Sequence, residues 1–272
     1  SSVAERIVIT DAQVDLSGPY TDIVASGANV TLNAGAIVGS LNTKTSTTTI
    51  AGNVRVGDIS LTDNSIITTP VAANMADTKT DLSVTTFNID ATSRVDISGK
   101  GALPDASVTS RSGGSYGGRG GLYGSVTTNA TYGDFQQPVD FGTGGSSTGS
   151  TPSRGGGAIK LVVSRLVLNG QILANGASGA SLTGGGSGGS IWLDVGVLSG
   201  SGSIAANGGN ATYYGGGGGG GRIAIYYTDA SNFNFDTQLF NFGGAPVAGP
   251  GTTYLKDKGQ PLGEIRIHSR GG

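Results

Sequence analysis

The sequence predicts an all-β protein, and more narrowly a right-handed parallel β-helix (β-solenoid) that carries a long glycine-rich insertion. Two observations predict this fold. A phrase of two glycines followed by alternating apolar residues begins at residues 156, 188 and 220, at equal intervals of 32 residues. A second phrase, which ends in Ala-Asn-Gly, occupies residues 170–176 and 202–208 at the same interval. Two phrases at one period indicate stacked units, none of which is large enough to bury its own apolar face.

The spacing of apolar residues within each unit predicts strands. In the first unit Ile159, Leu161 and Val163 are aliphatic, whereas the residues between them vary, which is the pattern of a half-buried strand. If the units stack in parallel, two columns follow: a buried ladder of Ile159, Ile191 and Ile223, and an exposed column of Lys160, Trp192 and Ala224. A β-sandwich is the alternative fold, and antiparallel pairing of the same strands would favour it.

Taken in order, the chain is predicted to be a single elongated β-solenoid domain over residues 1–272. Short strands separated by turn residues are predicted between residues 7 and 69, among them 54–56 and 59–61, and a loop or short helix follows at 69–81. The second repeated phrase predicts strands around 166–173 and 197–205. Alternating phenylalanines at 233–242 are expected to cover the last coil, before a final strand pair at 253–255 and 264–267. The predicted parts are N-terminal coils at 7–101, the insertion at 102–154, the 32-residue repeats at 155–227 and a C-terminal cap at 228–272.

Composition excludes several classes of protein. Glycine occurs 51 times without a third-position period, which excludes collagen. A net charge of −2 argues against nucleic-acid binding, and no apolar run approaches the length of a membrane span. Cysteine is absent, so disulfides and thiolate metal sites are excluded. No signal peptide is recognisable, so we expect a fragment of a longer exported protein.

The motifs that could carry chemistry are better explained by structure. The glycine run at 215–221 lacks the Gly-Lys-Ser/Thr ending of a phosphate loop, so close packing between backbones is expected instead. His268 is the single histidine, which argues against a His-centred triad. The sequence around 185–190 lacks the aspartate of calcium-binding nonapeptides. We therefore predict no catalytic residue, no metal site and no cofactor, with an isolated calcium site left as an open alternative.

Aromatic residues in the insertion and in the glycine-rich turns are the candidates for ligand binding. Exposed tyrosine rings beside polar side chains can stack on sugars and bond to their hydroxyls. The predicted ligand-binding residues are Tyr116, Arg119, Tyr123, Tyr132, Phe135, Asp140, Tyr213 and Tyr214. The alternative is that the insertion folds back along the coils and buries these rings. Lys100, Arg119 and Arg154 would be the candidate bases of a polysaccharide lyase, although an arginine among glycines more often bonds to neighbouring carbonyls.

Most of the chain from residue 23 onward resembles a glycine-rich β-solenoid module of large, adhesin-like bacterial surface and secreted proteins. The segments that carry this resemblance lie at 89–101, 115–121, 123–125, 184–191, 204–209, 215–225, 251–257 and 263–267. The resemblance implies an architecture and a location, extracellular or at the cell surface. It implies no catalytic residues.

The sequence therefore favours a non-enzymatic adhesin module, a stalk or a tip, that binds a glycan or a partner surface on a host or prey cell through residues 102–154. A polysaccharide-active lyase or hydrolase is the second hypothesis, and a purely structural spacer is the third. Neither nucleic-acid binding nor membrane insertion is expected. Oligomerisation, including a homotrimer, stays open because no heptad or edge pattern bears on it.

Overall fold

A computed structural model describes residues 6–124, 126–149, 151–212 and 214–269. These residues form strands and irregular segments, and none of them is helical. No helix that could cross a membrane therefore occurs in the described ranges. The strands are β1 (Ile7–Thr10), β2 (Gln13–Leu16), β3 (Pro19–Ser26), β4 (Asn29–Asn33), β5 (Ile37–Lys44), β6 (Thr47–Ala51), β7 (Asn53–Thr62), β8 (Ile66–Thr68), β9 (Thr80–Ile89), β10 (Arg94–Asp96), β11 (Ala158–Leu168), β12 (Gln171–Leu173), β13 (Ser190–Ser199), β14 (Ser203–Ala205), β15 (Arg222–Tyr227), β16 (Asp229–Asn232), β17 (Leu239–Phe240), β18 (Thr252–Asp257) and β19 (Glu264–Arg266).

Successive strands alternate between two sheets. Sheet A has the order β1-β3-β5-β7-β9-β11-β13-β15-β18-β19, with β16 beside β13, and sheet B has the order β17-β14-β12-β10-β8-β6-β4-β2. Among the strands of the described ranges, only β18 and β19 pair antiparallel. The predicted all-β class with parallel strands is confirmed, and the arrangement is compatible with a β-helix or solenoid. The predicted final strand pair is the β18–β19 hairpin.

The repeats stack in the register that their sequence period predicts. Ile159 pairs with Ile191 and Ile191 with Ile223, and all three are at most 2% exposed. On the outer face, Lys160 and Trp192 are half-buried, and the Lys160 ammonium lies 4.2 Å from the centre of the Trp192 ring. The expected exposure of Ala224 is wrong. Its methyl group is fully buried because it stands between Trp192 and Tyr254 in the same column.

Two predicted strand boundaries need correction. The segments at 54–56 and 59–61 belong to one strand, β7, in which Gly57 and Asp58 both face outward and reverse the alternation. The strand predicted over 166–173 is two strands in different sheets, because the turn at Asn169-Gly170 moves the chain from β11 to β12. Periodicity identifies inward residues, but it does not show where the chain changes sheet.

The core lies between the two sheets and is built from the inward aliphatic residues of their strands. At its C-terminal end, Phe233 is buried against this core and Phe235 and Leu239 pack on it. The rings of Phe233 and Phe235 meet edge to face, with centroids 5.6 Å apart. These rings shield apolar side chains at this end of the core from water, and the cap over 228–272 stays a prediction.

Glycine-rich segments leave sheet B and return to sheet A in the second half of the chain. These excursions follow β10, β12, β14 and β17, and the longest includes the insertion at 102–154. The insertion packs against the repeats through backbone hydrogen bonds, such as Gly114 N to Gly185 O at 3.0 Å and Gly118 N to Gly220 O at 2.8 Å. The excursions therefore form a second packed body, the glycine bundle, beside the two sheets.

The hydrogen bonds of residues 216–221 repeat every third residue. Three neighbouring segments accept them: Gly216 and Gly219 donate to Arg111 and Gly114, Gly217 and Gly220 donate to Pro246 and Gly249, and Gly218 and Gly221 donate to Gly209 and Ala206. A period of three without internal hydrogen bonds is that of a polyproline II helix. A Cβ on Gly218 would overlap the carbonyl of Gly186, so the predicted close packing of this run is confirmed.

Candidate functional site

The strongest candidate site is a group of five side chains on the glycine bundle, which we call the apical patch. It consists of Arg111, Leu122, Tyr123, Tyr214 and Val247. The rings of Tyr123 and Tyr214 meet edge to face, with centroids 5.7 Å apart, and the Arg111 guanidinium lies 4.8 Å from the centre of the Tyr123 ring. Leu122 is 46% exposed, Tyr214 58% and Val247 89%. Large, mostly apolar side chains are therefore exposed to solvent on a scaffold of small residues.

Backbone contacts between the middles of the glycine-rich excursions bring these residues together. Gly179 forms a bridge with Ala211, and the Ala211 N–H donates to Ala245 O at 2.7 Å. Gly121 is in tight contact with the carbonyls of Pro246 and Val247. The patch therefore lies outside both sheets, where the insertion and the neighbouring excursions turn. Residues on such turns are free to face a ligand.

Two of the predicted ligand-binding tyrosines instead hold the insertion in place. Tyr116 is fully buried, and its hydroxyl lies 2.6 Å from Ser190 Oγ, which donates in turn to Asp140 O. The Tyr132 hydroxyl donates to Phe141 O at 2.6 Å, and the Tyr116 and Tyr132 rings pack with centroids 4.8 Å apart. The premise that Tyr116 is exposed is wrong, because the glycines around it leave room for a buried ring.

A buried arginine joins this tyrosine pair to the repeats. The Arg222 guanidinium lies 5.3 Å from the centre of the Tyr116 ring and donates to Tyr132 O from Nε at 3.0 Å and from Nη2 at 2.7 Å. Its Nη1 donates to Thr252 Oγ1 at 2.9 Å. Arg222 begins β15, so it ties the insertion directly to sheet A. This contact is structural, since its polar groups bond within the protein.

The buried tyrosines predict a loss of stability at alkaline pH. Burial raises the pKa of Tyr116 and of Tyr132 well above the usual value of 10.0, and the bonds to Ser190 and Thr143 only partly oppose it. Above pH 10 the unfolded chain loses phenolic protons that the folded chain keeps, so the free energy of unfolding should fall as pH rises. The slope is about 1.4 kcal/mol per pH unit for each fully buried phenol.

Urea unfolding between pH 8 and pH 12, followed by circular dichroism, measures this slope. In the Tyr116→Phe variant, the fall of the unfolding free energy with pH should be less steep by about 1.4 kcal/mol per pH unit, because one buried phenol is gone. Tyr20→Phe is the matched control, since the Tyr20 hydroxyl donates to Ser17 O in an exposed bond. An unchanged slope in Tyr116→Phe would show that this phenol does not govern the alkaline transition.

The remaining predicted residues are dispersed. Phe135 packs edge to face on Tyr254, with centroids 5.7 Å apart. Asp140 is half-buried beside Tyr116, and Arg119 is exposed in the insertion. Tyr213 lies outside the described residues. Of the eight predicted residues, Tyr123 and Tyr214 therefore meet at the surface, while Tyr116 and Tyr132 meet in the interior.

Other polar residues from the sequence analysis serve turns and loops. The Arg154 guanidinium donates to the carbonyls of Ala72 and Gly101, the loop-organising role expected of an arginine among glycines. Burial by itself would raise the pKa of Asp90, but hydrogen bonds from Asp63, Thr92 and Ser93 outweigh it and lower this pKa to about 2. In the described part of the chain, no group of three or more His, Asp or Glu is placed to hold a metal.

Sequence reasoning missed an aromatic row on the outer face of sheet A. Trp192 and Tyr226 have ring centroids 6.3 Å apart, and Tyr226 and Tyr254 have centroids 5.8 Å apart. The Tyr226 hydroxyl donates to Gln136 O, so the row also holds the insertion against the sheet. The signal was present in the outward positions of the repeats, which carry aromatic residues where a solvated strand would carry polar ones.

Beside this row, an open groove of about 630 Å³ crosses the same face. Its walls come from β5, β7, β9, β11 and β13, and Lys258 lies at one end. Lys258 forms an ion pair with Asp194 at 2.5 Å and donates to Val195 O at 3.0 Å. The groove and the apical patch share no residue.

Comparison with known proteins gives no relative for this chain: no protein family, curated protein or solved structure matches it.

Proposed function

We propose that this chain is a non-enzymatic binding module of a cell-surface or secreted protein, in which a right-handed parallel β-solenoid presents the apical patch to a glycan. The in-register parallel ladders and the alternation of strands between two sheets support the solenoid. Right-handed connections are the rule for parallel strands in one sheet. The pairing of the half-buried Tyr123 ring with the exposed Tyr214 ring is the observation that carries the function.

The chemistry of the patch favours a glycan. Sugar rings present C–H groups that pack on aromatic faces and hydroxyls that need donors and acceptors. Two tyrosines supply the rings and two phenolic hydroxyls. The Arg111 guanidinium forms no ion pair with the described residues and adds a positive charge beside the two rings, although its Nε is enclosed by the protein. A rigid backbone bundle also reduces the ordering cost of binding.

Binding is favoured over hydrolysis by the placement of the acids. Glycosidases use two carboxyl groups on either side of the bond that is cleaved. None of the five apical residues is acidic, and the groove on sheet A is lined by one carboxylate, Asp194, which is paired with Lys258. Asp90 and Asp229 both have a lowered pKa, which suits a stable anion and not a general acid.

The test is a glycan-array screen, with and without calcium, of the wild type and of the Tyr123→Ala and Tyr214→Ala variants. Each substitution removes one ring of the pair, so binding should weaken about 10- to 100-fold, as for other aromatic residues that dominate an interface. The unfolding temperature should stay near that of the wild type, because both side chains are at the surface.

Tyr20→Ala is the matched tyrosine control, since Tyr20 lies in β3 and its hydroxyl donates to Ser17 O, away from the insertion, and it should bind the array like the wild type. Equal binding by the wild type and both patch variants would place the ligand elsewhere. No binding by the wild type to any glycan would favour a structural spacer, and binding only to cell-surface protein would make the partner a protein.

A further inference from the structure

The groove on the outer face of sheet A has the shape of a site for an extended ligand. It crosses five neighbouring strands, and a spacing of about 4.8 Å between strands gives it a length of roughly 19 Å. It is open to solvent along this length. A small, compact ligand would leave most of it empty.

The floor of the groove is kept open by small residues. Gly57, Thr85, Ser164 and Gly196 occupy equivalent positions in four successive strands, at the point where the ladder pairing skips one residue. A Cβ on Gly196 would overlap the carbonyl of Ser164 in the preceding coil, so no larger residue fits there without a shift. The hydroxyls of Thr85 and Ser164, together with that of Ser83, offer hydrogen bonds along the floor.

The charges of the groove favour an acidic ligand. Arg55 is exposed, and no ion pair or side-chain hydrogen bond to the described residues engages its guanidinium. Lys258 lies at the other end, where it neutralises Asp194, the one acidic residue of the lining. The strands that hold Arg55 and Asp194 are three steps apart, which is roughly 14 Å along the groove.

We infer that this groove binds a linear acidic polysaccharide, with a carboxylate of the chain on Arg55 and its rings along Val162 and the hydroxyl-bearing floor. The strands of the groove are each paired on both sides, so a peptide cannot bind there by adding a strand. The lining has no aromatic side chain on which a nucleic-acid base could stack. This site goes beyond the function proposed for the apical patch and depends on none of its residues.

The experiment measures binding of the wild type to polygalacturonate, a linear uronate polymer, by affinity electrophoresis and titration calorimetry. Fully methyl-esterified polygalacturonate is the matched neutral ligand. The wild type should bind the acid at least tenfold more tightly than the ester, and the difference should shrink at high salt. Arg55→Ala should weaken binding of the acid about tenfold, because it removes a charged hydrogen bond. Ser164→Trp should abolish binding by filling the floor.

Lys44→Ala is the charge control. Lys44 is the last residue of β5, a strand of the groove, but its side chain does not line the groove and pairs with Asp63 in an exposed contact. Lys44→Ala and Tyr123→Ala should both bind polygalacturonate like the wild type. Arg55→Ala should bind the same members of the glycan array as the wild type, because the apical patch is unchanged. Failure of the wild type to bind polygalacturonate overturns the inference. The inference is also overturned if Arg55→Ala and a correctly folded Ser164→Trp both bind polygalacturonate as tightly as the wild type.

Discussion

Replacing Gly218 with alanine is expected to destabilise the protein by about 3 kcal/mol, the upper end of the usual cost of overpacking. The added Cβ would overlap the carbonyl of Gly186, which belongs to the backbone and cannot rotate away as a side chain does. Gly218 also accepts a hydrogen bond from Gly244 N at 2.8 Å and donates one to Gly209 O at 2.9 Å. A shift of this segment therefore weakens contacts with several others. Urea unfolding of the variant measures the loss.

Gly149→Ala is the matched control from the insertion. Its added Cβ would meet only the end of the Leu182 side chain, at 3.4 Å, which can move. The stability of this variant should stay within about 0.5 kcal/mol of the wild type. If Gly218→Ala were as stable as Gly149→Ala, the tight backbone packing of residues 216–221 would be wrong.

Replacing Tyr116 with alanine is expected to cost about 3–5 kcal/mol, as for other large buried aromatic residues. The substitution empties the space between the insertion and the repeats and removes the contacts with Tyr132, Arg222 and Ser190. The insertion should then detach from the repeats. Limited proteolysis should cut it faster in the variant, while urea unfolding gives the loss of stability.

The Tyr116→Ala variant also separates structural effects from binding effects. Glycan binding should fall in this variant because the insertion no longer places Tyr123 beside Tyr214, although Tyr116 itself cannot touch a ligand. Tyr123→Ala should lose binding with its stability unchanged. Full stability in Tyr116→Ala would contradict the buried position of this ring. Tyr116→Phe keeps the ring and should therefore retain most of the stability of the wild type.

The two proposed sites use the same scaffold differently. The apical patch depends on the glycine bundle, because its residues come from separate excursions. The groove depends on sheet A, in which Gly57 and Gly196 lie against carbonyls of the neighbouring strands and leave no room for a Cβ. Gly218→Ala should therefore weaken binding at the patch more than binding of polygalacturonate in the groove.

Much of the sheet architecture could be predicted from the sequence. The ladder of Ile159, Ile191 and Ile223 follows from alternation and an equal 32-residue interval, because identical units that stack in parallel place equivalent residues in contact. The terminal hairpin also follows from local pattern. The join of 54–56 to 59–61 within β7 could not be predicted, since two consecutive outward residues interrupt the alternation on which the prediction rests.

The candidate site could be predicted only as a set of residue types. Tyr116 and Tyr123 both lie in glycine-rich sequence, yet one is fully buried and the other joins Tyr214 at the surface. No feature of the neighbouring sequence distinguishes these two tyrosines. Ser190, whose hydroxyl meets that of Tyr116, is 74 residues away in the chain.

The in-register ladder of the 32-residue repeats is thus a property of the sequence alone, because side-chain alternation and a fixed period specify both the inward face and the neighbouring strand. The glycine bundle, the burial of Tyr116 and the pairing of Tyr123 with Tyr214 were decided by tertiary structure. Glycine has no side chain to mark an inward face. Its segments find their neighbours through backbone hydrogen bonds, such as Gly219 N to Gly114 O, which any sequence free of Cβ atoms could form.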